Sequence, residues 1–243
     1  MNDFGPHLLG ARRSPRDDRD HPLSAHLPDM AAPDTARVAG IPEPPYNQDG
    51  GKCVAFSAAG DMTIEEAPEA GAQIRFDADE HYLECVPGDP AGNQGTTIRT
   101  SLGIRLRKGM RALNGPNTGR FLRIRAYSAL DISTMDEIEL AIYSASDSCP
   151  DKTGGSAWVA AGWPDNWWNV PASGILPKPV GRAGGHAFKL VEFDTTRRIV
   201  RILNSWGPNW GADGEAWVGY DDLLGILWEA WKTFDAPDLA KAR

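Results

Sequence analysis

Two short motifs bracket what reads as a single hairpin. Gly184-Gly185-His186-Ala187 enters it and Asn204-Ser205-Trp206-Gly207 leaves it. Between them, Phe188 to Phe193 and Arg198 to Leu203 have strand character, and Asp194 to Arg197 reads as the turn. A solvent-facing hairpin needs neither a histidine at its entry nor an asparagine flanked by tryptophan and glycine at its exit. Pairing around the turn places His186 within one position of facing Asn204. Cross-strand neighbours lie roughly 5 Å apart at Cβ, so the two side chains are within hydrogen-bonding reach. An asparagine that fixes the tautomer and orientation of an imidazole is the third member of a Cys-His-Asn nucleophilic site. The hairpin therefore asks for a cysteine from elsewhere in the chain.

Cys53 is that cysteine. It sits in Tyr46-Asn47-Gln48-Asp49-Gly50-Gly51-Lys52-Cys53-Val54-Ala55-Phe56-Ser57. Two glycines lead into it, an apolar run continues through Ala58, Ala59, Met62 and Ile64, and Pro68 is the expected stop. The pattern predicts a loop feeding a helix that begins near Cys53. A thiol there feels the positive end of the helix dipole, and a neighbouring imidazolium lowers its pKa further. Gln48 is placed to donate its amide to a developing oxyanion, with the Cys53 N–H as second donor. Lys52 reads as a solvated cation whose charge favours the thiolate.

The order Gln48…Cys53-Val54-Ala55-Phe56-Ser57, then Gly184-Gly185-His186-Ala187, then Asn204-Ser205-Trp206-Gly207-Pro208-Asn209-Trp210-Gly211-Ala212-Asp213-Gly214 resembles the papain-like cysteine peptidases, of bacterial or viral type. The resemblance spans roughly residues 46 to 228. It implies Cys53 as nucleophile, His186 as general acid and base, Asn204 as its orienting partner and Gln48 as oxyanion donor. It also implies Trp206 as a cover over the His–Asn hydrogen bond, and Trp210 as a lining of the cleft. Gly185 and Gly95 would contact substrate backbone, Gly95 as part of Gly92-Asn93-Gln94-Gly95. Phe76 to Cys85 looks like the family's short helix ending in cysteine. The departures are specific. Gln48 lies five positions before Cys53 where family members usually have six, and Asn47 occupies the six-position spacing. Val54 stands where papain itself has tryptophan. Gly50 stands where a half-cystine is usual, which leaves Cys85 without its usual partner.

The resemblance implies an α+β fold of the papain-like two-lobed type: an N-terminal helical lobe, a C-terminal antiparallel β-barrel-like lobe, and the active site in the cleft between them. Helix signals do come first (the Cys53 helix, 77–85, and 96–113) and strand signals later (157–161, the hairpin, and 215–220). Thr134-Met135-Asp136-Glu137 matches a capping box opening a helix through Tyr143. The domain expectation is an arm over 1–45 wrapping the body, a catalytic domain over 46–228 divided at 127, and a tail over 229–243. The arm is Pro-, Asp- and Arg-rich, with Arg12-Arg13-Ser14-Pro15-Arg16-Asp17-Asp18-Arg19-Asp20 unsuited to a core of its own.

Composition narrows the partners. A net charge of −8 argues against a nucleic-acid groove or an anionic membrane. No apolar run is long enough to span a bilayer, and no secretory leader is visible, so a cytoplasmic monomer acting on peptide or protein is expected. Three cysteines are no disulfide framework, although a Cys85–Cys149 pair stays open. His7, His21, His26 and His81 show no metal-ligand spacing, so neither metal nor cofactor is expected. Trp163, Trp167 and Trp168 line a subsite or cover a core. Singly, a cysteine is most often a small buried hydrophobe; the joint arrangement of Cys53, His186 and Asn204 carries the catalytic reading. That reading is a cysteine peptidase, an endopeptidase working through an acyl-enzyme. Its alternatives are an acyl transferase on the same site and a catalytically silent binding module.

Overall fold

A computed structural model of the chain describes residues 9–17, 20, 22–23, 30–150, 152 and 154–235. His7, His21, His26 and the end of the expected tail lie outside the described residues. In chain order the elements are β1 (Ala11–Arg12), β2 (Thr35–Arg37), α1 (Cys53–Ala70), α2 (Ala78–Cys85), β3 (Thr96–Thr97), α3 (Ile98–Arg107), β4 (Met110–Arg111), β5 (Phe121–Leu122), β6 (Ala126–Ala129), α4 (Asp136–Ser144), β7 (Ala157–Trp163), β8 (Gly184–Asp194), β9 (Ile199–Leu203), β10 (Glu215–Gly219), α5 (Tyr220–Leu224) and β11 (Leu227–Phe234).

One antiparallel sheet dominates, in the order β10-β9-β8-β7-β11-β6, with β2 added on β8. It is an open sheet and not the barrel-like lobe expected, because β10 and β6 end the path without pairing to each other. Every residue of β7 is buried. The strand's period of two explains how. Ala157, Val159, Ala161 and Trp163 face one cluster with Ile138, Ala141 and Ile142 of α4. Trp158 and Ala160 face a second cluster with Val54, Ala58, Ala59 and Met62 of α1. Helices thus cover both faces of the strand, and α1 is pressed against the sheet that carries the histidine.

A buried polar knot joins the helical part to the sheet. Asp61 of α1 accepts from Arg105 Nη2 of α3 at 3.0 Å, from Ser156 Oγ at 3.1 Å and from Thr233 Oγ1 of β11 at 2.8 Å. All four residues are fully buried. A carboxylate so placed must be paired and hydrogen-bonded, and here it is.

Several sequence expectations shift. The boundary at 228 falls inside β11, so 229–234 belongs to the sheet and is no tail; Ala230, Trp231 and Phe234 are core residues. The helix expected over 96–113 is only α3, because Gly109 adopts a left-handed φ of 90° and the chain turns into β4. α1 runs past Pro68 to Ala70, with Pro68 in its last turns and Gly71 as left-handed cap. α4 forms without the expected capping box: Met135 occupies the cap with no side-chain bond, and Glu137 instead accepts from the Asp131 N–H at 2.6 Å.

Candidate active site

Cys53 is the first residue of α1, preceded by the loop 47–52. The loop can pack this tightly because it carries glycine where backbones meet. Gly50 is left-handed, and Gly51 N–H donates to Gly92 O at 2.9 Å. Lys52, expected to be solvated, is instead buried between two carboxylates, 3.0 Å from Asp49 and 2.7 Å from Asp79 at the start of α2. It ties the loop before Cys53 to α2. Nothing local in the sequence signals this, since Asp79 arrives from a different element.

His186 lies on β8 and its Nε2 is 2.8 Å from Asn204 Oδ1. The hydrogen bond is as expected, but the register differs. A bulge between Leu190 and Glu192 shifts the pairing, and Lys189 faces Leu203. Asn204 is therefore one diagonal step from His186 on the same face of the sheet, which an amide side chain can bridge. Asn204 Oδ1 also accepts from the Ser205 N–H at 2.8 Å, so this oxygen is oriented by its own backbone. With Nε2 engaged by Asn204, any proton exchange by the ring would use Nδ1, its other nitrogen.

Aromatic rings fix the imidazole. Trp163 meets it edge-on at 4.7 Å and Trp206 lies tilted at 4.9 Å. Trp168 stacks on Trp206 at 5.4 Å. Trp210 is fully buried, donates its Nε1 to Trp168 O at 3.1 Å and meets Trp206 edge-on. It supports Trp206 from inside and does not line the cleft as the resemblance implied. Trp163 and Trp167 are likewise fully buried core residues.

Gln48 is buried and Asn47 exposed. Ser205 Oγ donates to Gln48 Oε1 at 2.6 Å, and Gln48 N–H donates to Ser205 O at 2.8 Å. Gln48 Nε2 then points back along its own loop, to Gly50 O at 2.9 Å. Asn47 packs outside, against Gly207. The asparagine of the hairpin motif and its neighbouring serine thus serve two partners, His186 and Gln48. Ser205 is part of the motif, but nothing in the motif signals its role in holding Gln48.

Backbone N–H groups of Ala187 on β8 and of Gly10, Val54 and Ala11 favour the Cys53 thiolate electrostatically. Against the expected lowering, burial pushes the Cys53 thiol pKa up, and these four donors only partly oppose it. Two of these four groups, those of Gly10 and Ala11, come from the expected arm, which the sequence places around the body with no stated contact to Cys53. Gly95 and Gly185 flank this segment: a Cβ on Gly95 would come within 2.0 Å of Gly10 O, and one on Gly185 within 2.0 Å of Ala11 O.

Cys53, Cys85 and Cys149 form no disulfide. Cys85 ends α2, 3.9 Å from His81 Nε2, and burial and the neighbouring Glu84 push its pKa up to about 12. His81 itself is buried against Ser101 Oγ at 2.7 Å. Among the described residues no group of three or more His, Cys, Asp or Glu is placed to hold a metal ion, and no helix is long and apolar enough to cross a membrane.

No protein-family profile matches the chain, and no curated protein matches it in sequence. In structure, its fold is that of the papain-like cysteine proteases. Xylellain, a cysteine protease from Xylella fastidiosa, aligns with a TM-score of 0.73 at 19% identity, over 95% of this chain and 97% of that one. Procathepsin B S9 from Trypanosoma congolense aligns at 0.66 with 15% identity, over 93% and 86%. The Carica candamarcensis cysteine protease CMS1MS2, solved in complex with E-64, aligns at 0.61 with 16% identity, over 84% and 99%.

Proposed function

We propose that this chain is a cysteine peptidase that hydrolyses peptide bonds through Cys53, His186 and Asn204. The observation that carries the reading is the convergence of a helix-N-terminal cysteine on the strand holding a His186–Asn204 pair bonded at 2.8 Å. Cys53 gives its proton to His186, and its sulfur attacks the carbonyl carbon of the scissile peptide. The oxyanion takes the Cys53 N–H and the free hydrogen of the Gln48 amide. As the tetrahedral intermediate collapses, His186 returns the proton to the leaving amine and a thioester remains. Water then gives a proton to His186 and adds to the thioester, and collapse frees the carboxylic acid and the Cys53 thiol. Asn204 holds the ring so that one nitrogen serves all these transfers, while the surrounding tryptophans keep it from rotating.

Cys53→Ser is nearly isosteric. It should leave melting unchanged and remove hydrolysis of a peptide library, followed by mass spectrometry of the products. Retention of most of the rate would reject the assignment. An added amine nucleophile that diverts the thioester to a new amide in preference to water would reassign the site to acyl transfer.

A further inference from the structure

Ser57 lies one turn beyond Cys53 in α1, and two neighbours on the sheet reach it together. Trp158 of β7 and Lys189 of β8 are paired directly across the strands. Trp158 Nε1 donates to Ser57 Oγ at 2.8 Å, and Lys189 Nζ donates to Ser57 O at 3.3 Å. Ser57 Oγ in turn donates to Cys53 O at 2.6 Å. Ser57, Trp158 and Lys189 are all buried. His186 stands three residues before Lys189 on the same strand. One serine thereby links the residue that opens α1 to the strand that holds the imidazole.

The seat of the amine is shaped for it. A Cβ on Gly60 would fall 2.4 Å from Lys189 Nζ and 2.8 Å from Cε, so a glycine inside α1 leaves the space that the lysine fills. Glycine at that place weakens a helix relative to alanine. The lysine is costly as well. An ammonium has three hydrogens to donate, and among the described residues Lys189 Nζ has one acceptor, Ser57 O. Burial pushes the amine down to about 8, with Asp61 opposing the shift and Arg75 and Arg105 adding to it. Both costs fall at the joint between the Cys53 helix and the sheet.

We propose that Lys189 is a positioning residue: together with Trp158 it clasps Ser57 and so sets the approach of Cys53 to His186. The proposal rests on the peptidase reading for the pair that is positioned. Lys189 acts through α1 and not on the reacting atoms. At pH 7 the amine is below its midpoint near 8 and charged, and a charged donor holds a carbonyl more firmly than a neutral one. Proton transfer needs a short, aligned path, and a misplacement of about 1 Å from a distant change can slow a reaction roughly a hundredfold.

The test is a double-mutant cycle on the full-length chain in a Cys85→Ser, Cys149→Ser background, read by alkylation of Cys53 with iodoacetamide at pH 7. Comparing ratios of rates cancels any common barrier to entry of the reagent. In the parent, His186→Ala should slow alkylation about tenfold or more, whereas in Lys189→Met it should slow it less than about twofold. Gly60→Ala, whose methyl group displaces the amine, should shrink the ratio in the same way while giving α1 a better helix former. Lys189→Met should not lower Tm at pH 7. The folded amine titrates near 8, below its ordinary 10.5, so at every pH under about 8 the fold bears the whole cost of burying the charge. Coupling lost without loss of stability separates positioning from damage to the fold, and should the methionine variant unfold, Gly60→Ala decides alone. In hydrolysis both variants should lower kcat and leave KM in place. An effect of His186→Ala that keeps its parental size in either folded variant would overturn the proposal and leave the peptidase standing. No effect of His186→Ala in the parent would overturn the peptidase reading, and the proposal with it.

Discussion

The two walls of the cleft hold their reactive groups by different means. The sheet wall is aromatic. His186 sits among Trp163, Trp206 and Phe188, at 4.7, 4.9 and 5.9 Å, and its Nε2 is hydrogen-bonded to Asn204. The helical wall is made of backbone and charge. Cys53 is placed by a helix start, by Gly50 and Gly51 packed against 91–92, and by the ion pairs of Lys52. Rings that meet edge to face restrict rotation through shape. Backbone packed on glycine leaves no slack for added atoms, but it offers amide donors wherever an anion develops. On the proposed reading, the aromatic side would keep His186 in one orientation, and the backbone side would receive negative charge.

The comparison is broken most severely on the sheet wall. His186→Ala should lower kcat by roughly 10³-fold or more, as for other members of nucleophile–base units. Alkylation of Cys53 should slow as well, because no imidazole remains to take the proton. If kcat survives, the aromatic wall is structural only. On the helical wall, Gln48→Ala should cost about 10²-fold in kcat, the usual size of losing one oxyanion donor. Asn47→Ala should cost little, since that residue is exposed and packs outside. KM should barely move in either case. The reverse ranking would transfer the donor role to Asn47 and undo the assignment of Ser205 as its holder.

The smallest effect is expected from the other cysteines. Ser at both Cys85 and Cys149 should leave activity the same in reducing and oxidising buffer, because neither forms a disulfide in the fold. Cys85 also contrasts with Cys53 by its place at the opposite end of a helix. With a folded pKa of about 12 it is a neutral thiol throughout the neutral range. Its alkylation, followed by mass spectrometry, should stay slow at pH 8 and accelerate only as the pH climbs towards that value. Fast labelling at pH 8 would show that Cys85 is not shielded by burial and Glu84 as described.

The hairpin and the helix start are legible in the sequence because both are local. Alternation of apolar residues around a turn fixes which side chains share a face, and two glycines before an apolar run locate a helix end within a residue or so. His186, Asn204 and Cys53 follow from those patterns. The bulge that moves Asn204 to a diagonal position does not, since nothing in Leu190 to Glu192 marks it. The helix expected over 96–113 overruns for a similar reason: Gly109 ends the run by a backbone angle that no apolar pattern encodes.

What the chain determined by itself were its periods, its turns and the residue types able to do thiol chemistry. What only the tertiary structure decided were the meetings of distant segments. Lys52 is buried because Asp79 of another helix reaches it, and Trp210 leaves the cleft because Trp168 and Trp206 cover it. The strand after 228 enters the sheet because β7 and β6 present edges on either side of it. The Cys53 thiol is raised and not lowered because burial in the closed core outweighs the backbone N–H groups that favour its thiolate. Burial and long-range pairing depend on which surfaces are left after the core closes, and a local pattern carries no record of that.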